Sequence, residues 1–151
     1  MLVYFTNTEE APGGLYPVIR NVPQEADPVQ AAVAEMLRGP TPEEYAAGCR
    51  SLFSERTTGM LNGITRSPDG ATLTLDFADF REMLDISGTT PATSFGPGGV
   101  MADITWAVFK QFPTVQGLRF AFDGDEEAFW TWLAGETSEP DVFTRTDWEQ
   151  V

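Results

Sequence analysis

The sequence lacks histidine entirely and contains one cysteine among its 151 residues. Since histidine is the commonest general base and metal ligand, its absence excludes Ser-His and Cys-His catalytic pairs. The lone Cys49 cannot form an internal disulfide, and because it follows a predicted helix among small residues we interpret it as a packing residue. No apolar run approaches about 20 residues, so we expect no direct membrane insertion by this chain.

Basic residues are also scarce: nine lysines and arginines stand against 23 acids, which gives a formal net charge of -14. Such a surface repels phosphate groups, so we expect no nucleic-acid partner and no attraction to anionic membranes. Solubility accounts for the acidity more simply than a dedicated cation site does. The strand-like opening MLVYFTN fits either a cytosolic protein or a domain trimmed from a precursor with an upstream lipid or membrane anchor.

Alternating apolar residues predict several β-strands. Leu2 to Thr6 reads as a strand that opens the sheet, whereas NTEEAPGG has the composition of a loop. The run Leu15 to Val22 looks extended, and Pro17 confines it to an edge or to an irregular strand. In the predicted hairpin that follows, MLNGITRS and ATLTLDF flank the tight turn SPDG, and the Asn-Gly pair indicates a bulge. The stretch GLRFAFDG alternates again and predicts a final strand.

Helix signals separate these strands. Asp27 is a suitable N-cap, and Gly39 followed by Pro40 ends the helix that it begins. Thr41 offers a second N-cap for one or two further turns. A longer helix is predicted by apolar residues that share one face, namely Val100, Met101, Ile104, Val108 and Phe112.

Two further segments complete the chain. Ser87 to Gly99 is rich in glycine, proline, serine and threonine and reads as a loop. After the final strand, a short helix is predicted between Asp125 and Gly135. This order of elements predicts an α/β fold, specifically an α+β two-layer sandwich: a mixed sheet of about four strands with two main helices on one face. We expect residues 1–151 to form a single domain with an acidic C-terminal segment, residues 123–151.

Acidic side chains supply the only candidates for catalysis or metal binding. Asp76 with Asp79, or Asp123 with Asp125, could form the carboxylate pair that glycoside hydrolysis needs. Asp123, Asp125 and Glu127 also imitate the first half of a calcium loop. Acids are so abundant here that such groupings arise by chance, and a strand-to-helix turn explains DGDEE without a metal. We therefore assign no catalytic residue, no metal ligand and no cofactor.

Tryptophans raise a separate question of contact surfaces. Three tryptophans, Trp130, Trp132 and Trp148, lie in the acidic C-terminal segment. They could pack onto the domain or stack on a bound sugar. Trp106 falls on the helix face opposite Ile104. A tryptophan on a polar face is either covered by the C-terminal segment or marks a contact surface.

Five segments together resemble the GerMN domain of sporulation and spore-germination proteins: VYFTN, LYPVIRNVP, AAVAEMLRGPTPEE, ATLTLDF and FPTVQGLRFAFDG. The most specific parts are the turn Leu37-Arg38-Gly39-Pro40 and the step Phe112-Pro113-x-Val115 into the last strand. DVFTRTDWE is similar to the closing segment of the family. The resemblance implies a compact α/β sandwich akin to the ring-building domains of sporulation channels.

The resemblance further implies an extracytoplasmic location, as a lipoprotein or membrane-anchored module, and a role in protein–protein assembly. We therefore expect a non-enzymatic interaction domain of the sporulation, germination or cell-envelope type, which binds a protein partner or a second copy of itself. Tyr4, on the predicted edge strand Leu2 to Thr6, and Trp106 are the expected interaction residues. The alternative is a module that binds cell-wall glycan or calcium through its aromatic and acidic C-terminal segment.

Overall fold

The computed structural model describes residues 2–7, 11–21, 27–51, 53–83, 96–137 and 139–146. Two sheets and four α-helices are found within these ranges. The predicted mixed α/β fold is therefore confirmed. The described strands form two sheets, however, whereas the sequence analysis predicted a single sheet.

The first sheet has three strands in the order β2-β1-β3. They are β1 (Leu2–Asn7), β2 (Ala11–Ile19) and β3 (Cys49–Arg50), and both neighbours run antiparallel to β1. Proline 17 does lie on an edge strand, as predicted. The prediction that Leu2 to Thr6 forms an edge is wrong, because Thr6 pairs with Arg50 on the side away from β2.

Strand β2 also begins earlier than the sequence suggested. Ala11 to Gly14, which have the composition of a loop, belong to the strand, and Asn7 pairs with Ala11 across a register shift. Pro12, Gly13 and Gly14 lie between the Thr6–Leu15 and Asn7–Ala11 pairs, where the register shifts, so these poor strand formers occupy a bulge-like irregularity. The strand ends at Ile19, before the predicted limit at Val22.

The second sheet has four strands in the order β4-β5-β6-β7. They are β4 (Leu61–Arg66), β5 (Thr72–Phe77), β6 (Gly117–Phe122) and β7 (Phe143–Thr144). The predicted hairpin joins β4 to β5, and its register shifts between Leu61 and Gly63, where the Asn-Gly bulge was expected. Strand β6 runs parallel to β5 and antiparallel to β7, so the sheet is mixed.

The helices are α1 (Pro28–Leu37), α2 (Pro42–Ala46), α3 (Gly96–Gln111) and α4 (Glu126–Ala134). Asp27 caps α1, Thr41 caps α2 in a reciprocal box with Glu44, and Asp125 caps α4. Helix α3 connects the parallel strands β5 and β6. It begins at Gly96, so the last four residues of the predicted loop Ser87 to Gly99 are helical, and residues 84–95 lie outside the described part of the chain.

One hydrophobic core joins both sheets to α1, α3 and α4. The predicted inner faces are buried: Val33 and Leu37 of α1, Leu73 and Leu75 of β5, and Ile104 of α3 are all fully covered. Cys49 is buried in the same core and forms no disulfide, in keeping with its interpretation as a packing residue.

An aromatic cluster occupies one end of this core. It contains Phe77, Phe80, Phe122, Phe129 and Trp132, and the centroids of the contacting rings lie between 5.1 and 5.9 Å apart. Trp130 is half-buried against the core as well. These two tryptophans of the C-terminal segment therefore pack onto the domain, while Trp148 lies outside the described residues. That packing leaves the sugar-stacking alternative without support at Trp132.

Candidate functional site

Tyr4 lies on the opposite face of β1 from Val3 and Phe5, and its partly buried side chain packs against the hydrophobic core. Its neighbours Val3 and Phe5 are buried, whereas Tyr4 is half-buried and pairs with the exposed Pro17 of β2. Because residues i and i+2 of a strand share a face, Ile19 lies on the same outer face as Pro17. Ile19 is 80 % exposed. The outer face of this sheet is thus apolar where the described side chains define it.

Trp106 projects from the exposed face of α3. Its side chain is 40 % exposed, while Ile104 is completely buried, as the helical pattern predicted. Lys110 lies four residues further along, so it shares a face with Trp106. The ammonium nitrogen of Lys110 sits 5.4 Å from the centroid of the Tyr4 ring, a cation–π distance. Lys110 thereby links the two predicted interaction residues.

We call Tyr4, Pro17, Ile19, Trp106 and Lys110 the Tyr4–Trp106 surface. It combines an exposed indole, an exposed β-branched side chain and one of the nine basic residues of an acidic chain. Aromatic and aliphatic anchors with a single charge form a typical pattern at protein–protein contacts. The arrangement can bury apolar area against another protein.

Two of the three acidic residues that resemble a calcium loop form hydrogen bonds within the fold. Asp125 caps α4 by accepting a hydrogen bond from the Ala128 amide at 3.1 Å, and Asp123 accepts one from the Asn62 amide group at 3.2 Å. Glu127 is exposed in the first turn of α4. Within the described ranges, no three acidic or cysteine side chains converge as a metal ion would require. The calcium-loop alternative therefore receives no support from the geometry.

The other carboxylate pair also has structural tasks. Asp76 accepts a hydrogen bond from the Gly124 amide at 2.8 Å, which ties β5 to the turn between β6 and α4. Asp79 forms an ion pair with Arg81 at 2.6 Å, and hydrogen bonds from Arg81 hold the pKa of this carboxyl below its usual value. The lowered pKa of Asp79 is the opposite of what a general acid needs.

A cleft of about 560 Å³ opens beside the turn between α1 and α2. Its walls include Arg20, Arg38, Tyr45, Phe53 and Glu55. Arg20 is 12 % exposed and lies 3.0 Å from Glu35 and 2.5 Å from Glu44. The same guanidinium donates to the Gly39 carbonyl at 3.0 Å and covers the Phe5 ring. This arginine therefore joins the end of β2 to both helices, and we call Arg20, Glu35 and Glu44 the floor of the cleft.

Sequence reasoning missed this cleft, although the turn Leu37-Arg38-Gly39-Pro40 was one of the two most specific parts of the family resemblance. The turn residues Arg38, Gly39 and Pro40 line it, while Arg20 and Glu55 come from separate segments. An isolated arginine after a strand and a run of TPEE carry no signal of mutual contact. The available signal was the sequence RGPTP, in which glycine and proline end one helix and threonine caps the next, and this predicts a tight turn.

The ion pairs of Arg20 predict a pH dependence of stability that centres on Glu44. Burial alone would raise the pKa of Glu44, but hydrogen bonds from Arg20 and the Thr41 amide outweigh it and hold the pKa below the ordinary 4.5. Since the folded-state pKa is lower, the carboxylate stabilises the fold above pH 4.5 and this contribution is lost as the pH falls through the folded-state pKa. We expect Glu44→Gln to lower the free energy of unfolding by about 1 kcal/mol at pH 7 and to make that free energy decline less steeply as the pH falls below 4.5.

Urea denaturation between pH 3 and pH 7 measures this effect. Glu43→Gln is the matched control, because Glu43 is exposed in the same helical turn as Glu44. If the two variants have the same pH profile, the ion pair with Arg20 does not carry the pH dependence.

No helix in the described part of the chain has the length and hydrophobicity to cross a membrane. In the part of the chain that the structure describes, the fold, the outer sheet face and the cleft define a class: a small mixed α/β domain that exposes apolar side chains and carries a cleft. The family model Germane, described as "Sporulation and spore germination", matches residues 2–128, which is well over half of the chain. This chain belongs to that family, and the resemblance that its motifs suggested is confirmed.

A solved structure supports the same assignment of fold. The first GerMN domain of the sporulation protein GerM from Bacillus subtilis matches with a TM-score of 0.62. The match covers 97 % of this chain and 99 % of that one, at 16 % sequence identity. At so low an identity the likeness shows a shared fold. No curated protein sequence matches this chain.

Proposed function

We propose that this chain is a non-enzymatic, extracytoplasmic protein-interaction domain of the sporulation and germination or cell-envelope type, which docks through the Tyr4–Trp106 surface. The observation that carries the proposal is that Lys110, on the same face of α3 as the exposed Trp106, contacts Tyr4, which shares a sheet face with the exposed Ile19. Exposed apolar side chains grouped in this way mark binding surfaces more often than isolated ones do.

The chemistry of the chain supports a binding role over catalysis. The sequence has no histidine. The carboxylates considered as catalytic pairs cap a helix, tie a turn or pair with arginine. Membership of the sporulation and germination family supports the extracytoplasmic location, in a precursor anchored to the membrane or secreted.

Partner chemistry follows from charge. Two copies of a chain with a net charge of -14 repel one another at low salt, so contact between copies needs a local apolar patch and gains from screening. Lys110 is the positive charge at the centre of the Tyr4–Trp106 surface, and it would favour an acidic group on the facing molecule. A second copy of this acidic chain supplies such groups and is the first partner to test.

Light scattering coupled to size exclusion, run over a wide concentration range, tests this proposal. We expect the mass of the wild type to rise with concentration, more so at moderate than at low salt. Trp106→Ala should raise the dissociation constant about 30-fold, as loss of a central aromatic anchor does. Ile19→Lys should act in the same direction.

Tyr45→Ala is the matched control, because Tyr45 is 48 % exposed and lies in the cleft rather than on the Tyr4–Trp106 surface. Equal association of the wild type and the Trp106 variant would overturn the role of this surface. A monomer at every concentration would contradict self-association and restrict the proposal to a different protein partner.

A further inference from the structure

The cleft beside the turn between α1 and α2 is a second site, with no residue in common with the Tyr4–Trp106 surface. Its volume of about 560 Å³ lies within the range of small-ligand pockets, roughly 300–1,000 Å³. Tyr45, Pro40 and Pro42 supply apolar walls, and Phe53 forms part of the buried side. Such a mixture of apolar walls and a few charges suits a small organic ligand better than a flat protein partner.

The floor of the cleft is already neutralised. Arg20 donates to Glu44 through Nε and Nη2, to Glu35 through Nη1, and to the carbonyl of Gly39. Glu35 and Glu44 are 16 % and 17 % exposed, so this network is largely withdrawn from solvent. It holds the walls in place, and a ligand would have to break it to use these charges.

We call the exposed lining residues Arg38 and Glu55 the rim of the cleft. Unlike the charges of the floor, theirs form no close ion pair among the described residues. Arg38 is 59 % exposed, and its Nε lies 3.7 Å from Glu35 Oε2, beyond hydrogen-bond distance. That same oxygen accepts from Arg20 at 3.0 Å. Glu55 is exposed at the start of the 3-10 turn Glu55–Thr57, and among the described residues its carboxylate has no ion-pair partner.

The rim thus offers one cation and one anion around apolar walls. A purely anionic ligand would meet Glu55, and a purely cationic ligand would meet Arg38. A ligand that carries both charges can satisfy the two at once, because Arg38 presents several N–H donors to a carboxylate and Glu55 accepts from an ammonium group. An extended peptide with an apolar centre has this charge arrangement, and the exposed Tyr45 ring is a surface on which a proline can pack.

We propose that the cleft binds a short dipolar peptide, with its carboxylate at Arg38, its ammonium group at Glu55, and an apolar residue against Tyr45. The site is independent of the proposed assembly role, so either proposal can fail alone. Self-association is measured without peptide, and peptide binding is measured at protein concentrations at which the chain is monomeric.

The tripeptide Ala-Pro-Ala in four forms is the probe: unblocked, N-acetylated, C-amidated, and blocked at both ends. Chemical shifts of the protein amides, followed during titration up to about 10 mM peptide, report affinity directly. We expect the unblocked form to bind most tightly, with about a fivefold loss for each blocked end, as partly exposed charge pairs contribute. The shifts should concentrate at Arg38, Tyr45 and Glu55.

Charge-removing variants assign each end of the peptide. With Arg38→Gln, amidation of the peptide should no longer matter while acetylation still does; with Glu55→Gln the reverse should hold. Arg119→Gln and Glu43→Gln make the same charge changes outside the cleft and should leave all four affinities unchanged. Equal binding of the four forms, the absence of saturable shifts, or equal effects of the control variants would overturn the proposal.

Discussion

Gly39→Ala is expected to lower the free energy of unfolding by about 4 kcal/mol, the largest effect that we expect for a single methyl group in this chain. Gly39 has a φ of +74°, in the left-handed region that L-residues with a side chain disfavour. An added Cβ would also meet backbone, since it would lie 2.7 Å from Ser54 Cα and closer still to the Phe53 carbonyl oxygen. Backbone atoms cannot rotate away as the end of a side chain can.

The turn at Gly39 is hydrogen-bonded to three other parts of the fold, so a displacement of its backbone would disturb all three. The Gly39 carbonyl accepts from Arg20, the Leu37 carbonyl accepts from the buried Thr57 hydroxyl, and the Gly39 amide ends α1 by donating to Met36 at 3.0 Å. Moving the turn to admit a methyl group would weaken all of these hydrogen bonds together.

Gly70→Ala separates the two causes. Gly70 has nearly the same φ, +73°, but nothing lies within 4 Å of a Cβ built on it. We therefore expect a loss of only about 1–2 kcal/mol there. Chemical denaturation of both variants measures the difference, and equal losses would show that the contact with Phe53 and Ser54 contributes nothing.

Arg145→Gln is expected to lower the free energy of unfolding by about 3 kcal/mol. The Arg145 guanidinium donates to three backbone carbonyls: Val115 at 2.9 Å, Phe109 at 3.1 Å and Phe112 at 2.9 Å. It also lies 4.8 Å from the centroid of the Phe109 ring. These carbonyls belong to the last turn of α3 and the connection to β6. Carbonyls at the end of a helix have no amide of a following turn to bind, so another donor must satisfy them. A shorter neutral amide cannot reach all three.

Arg119→Gln is the control, because Arg119 forms a single ion pair, with Glu126 at 2.6 Å, in which both side chains are about one-third exposed. Its loss should cost no more than about 1 kcal/mol. Hydrogen exchange adds a local measurement: the Arg145 amide, which donates to the Gln116 carbonyl at 2.8 Å, should lose protection in Arg145→Gln. Unchanged protection together with unchanged stability would contradict the role given to Arg145.

These two predictions concern segments on which the resemblance to the family was based. The step Phe112-Pro113-x-Val115 and the closing segment DVFTRTDWE contact each other through Arg145, since the arginine binds the carbonyls of the step. The turn at Gly39 contacts the segment at Phe53. Both motifs stabilise the fold, and the proposed contact surface is formed by other residues, on β1, β2 and α3.

The sequence by itself determined the local elements. Asp27, Thr41 and Asp125 are short polar side chains that accept from backbone amides within the next three residues, so the starts of α1, α2 and α4 are specified by their own neighbours. The hairpin from β4 to β5 follows from period-two alternation around SPDG. The opposite burial of Ile104 and Trp106 follows from helical periodicity alone.

Only the tertiary structure decided how the strands group and which side chains meet. Whether β1 lies at an edge depends on Thr6 pairing with Arg50, a hydrogen-bonded contact between segments far apart in the sequence, and no local pattern encodes it. The cleft likewise needs Arg20, Arg38 and Glu55 from three segments, and the Tyr4–Trp106 surface needs Lys110 of α3 above a ring of β1. Local sequence sets backbone preferences within a few residues, whereas these sites depend on long-range packing, which is settled by the burial of the shared core.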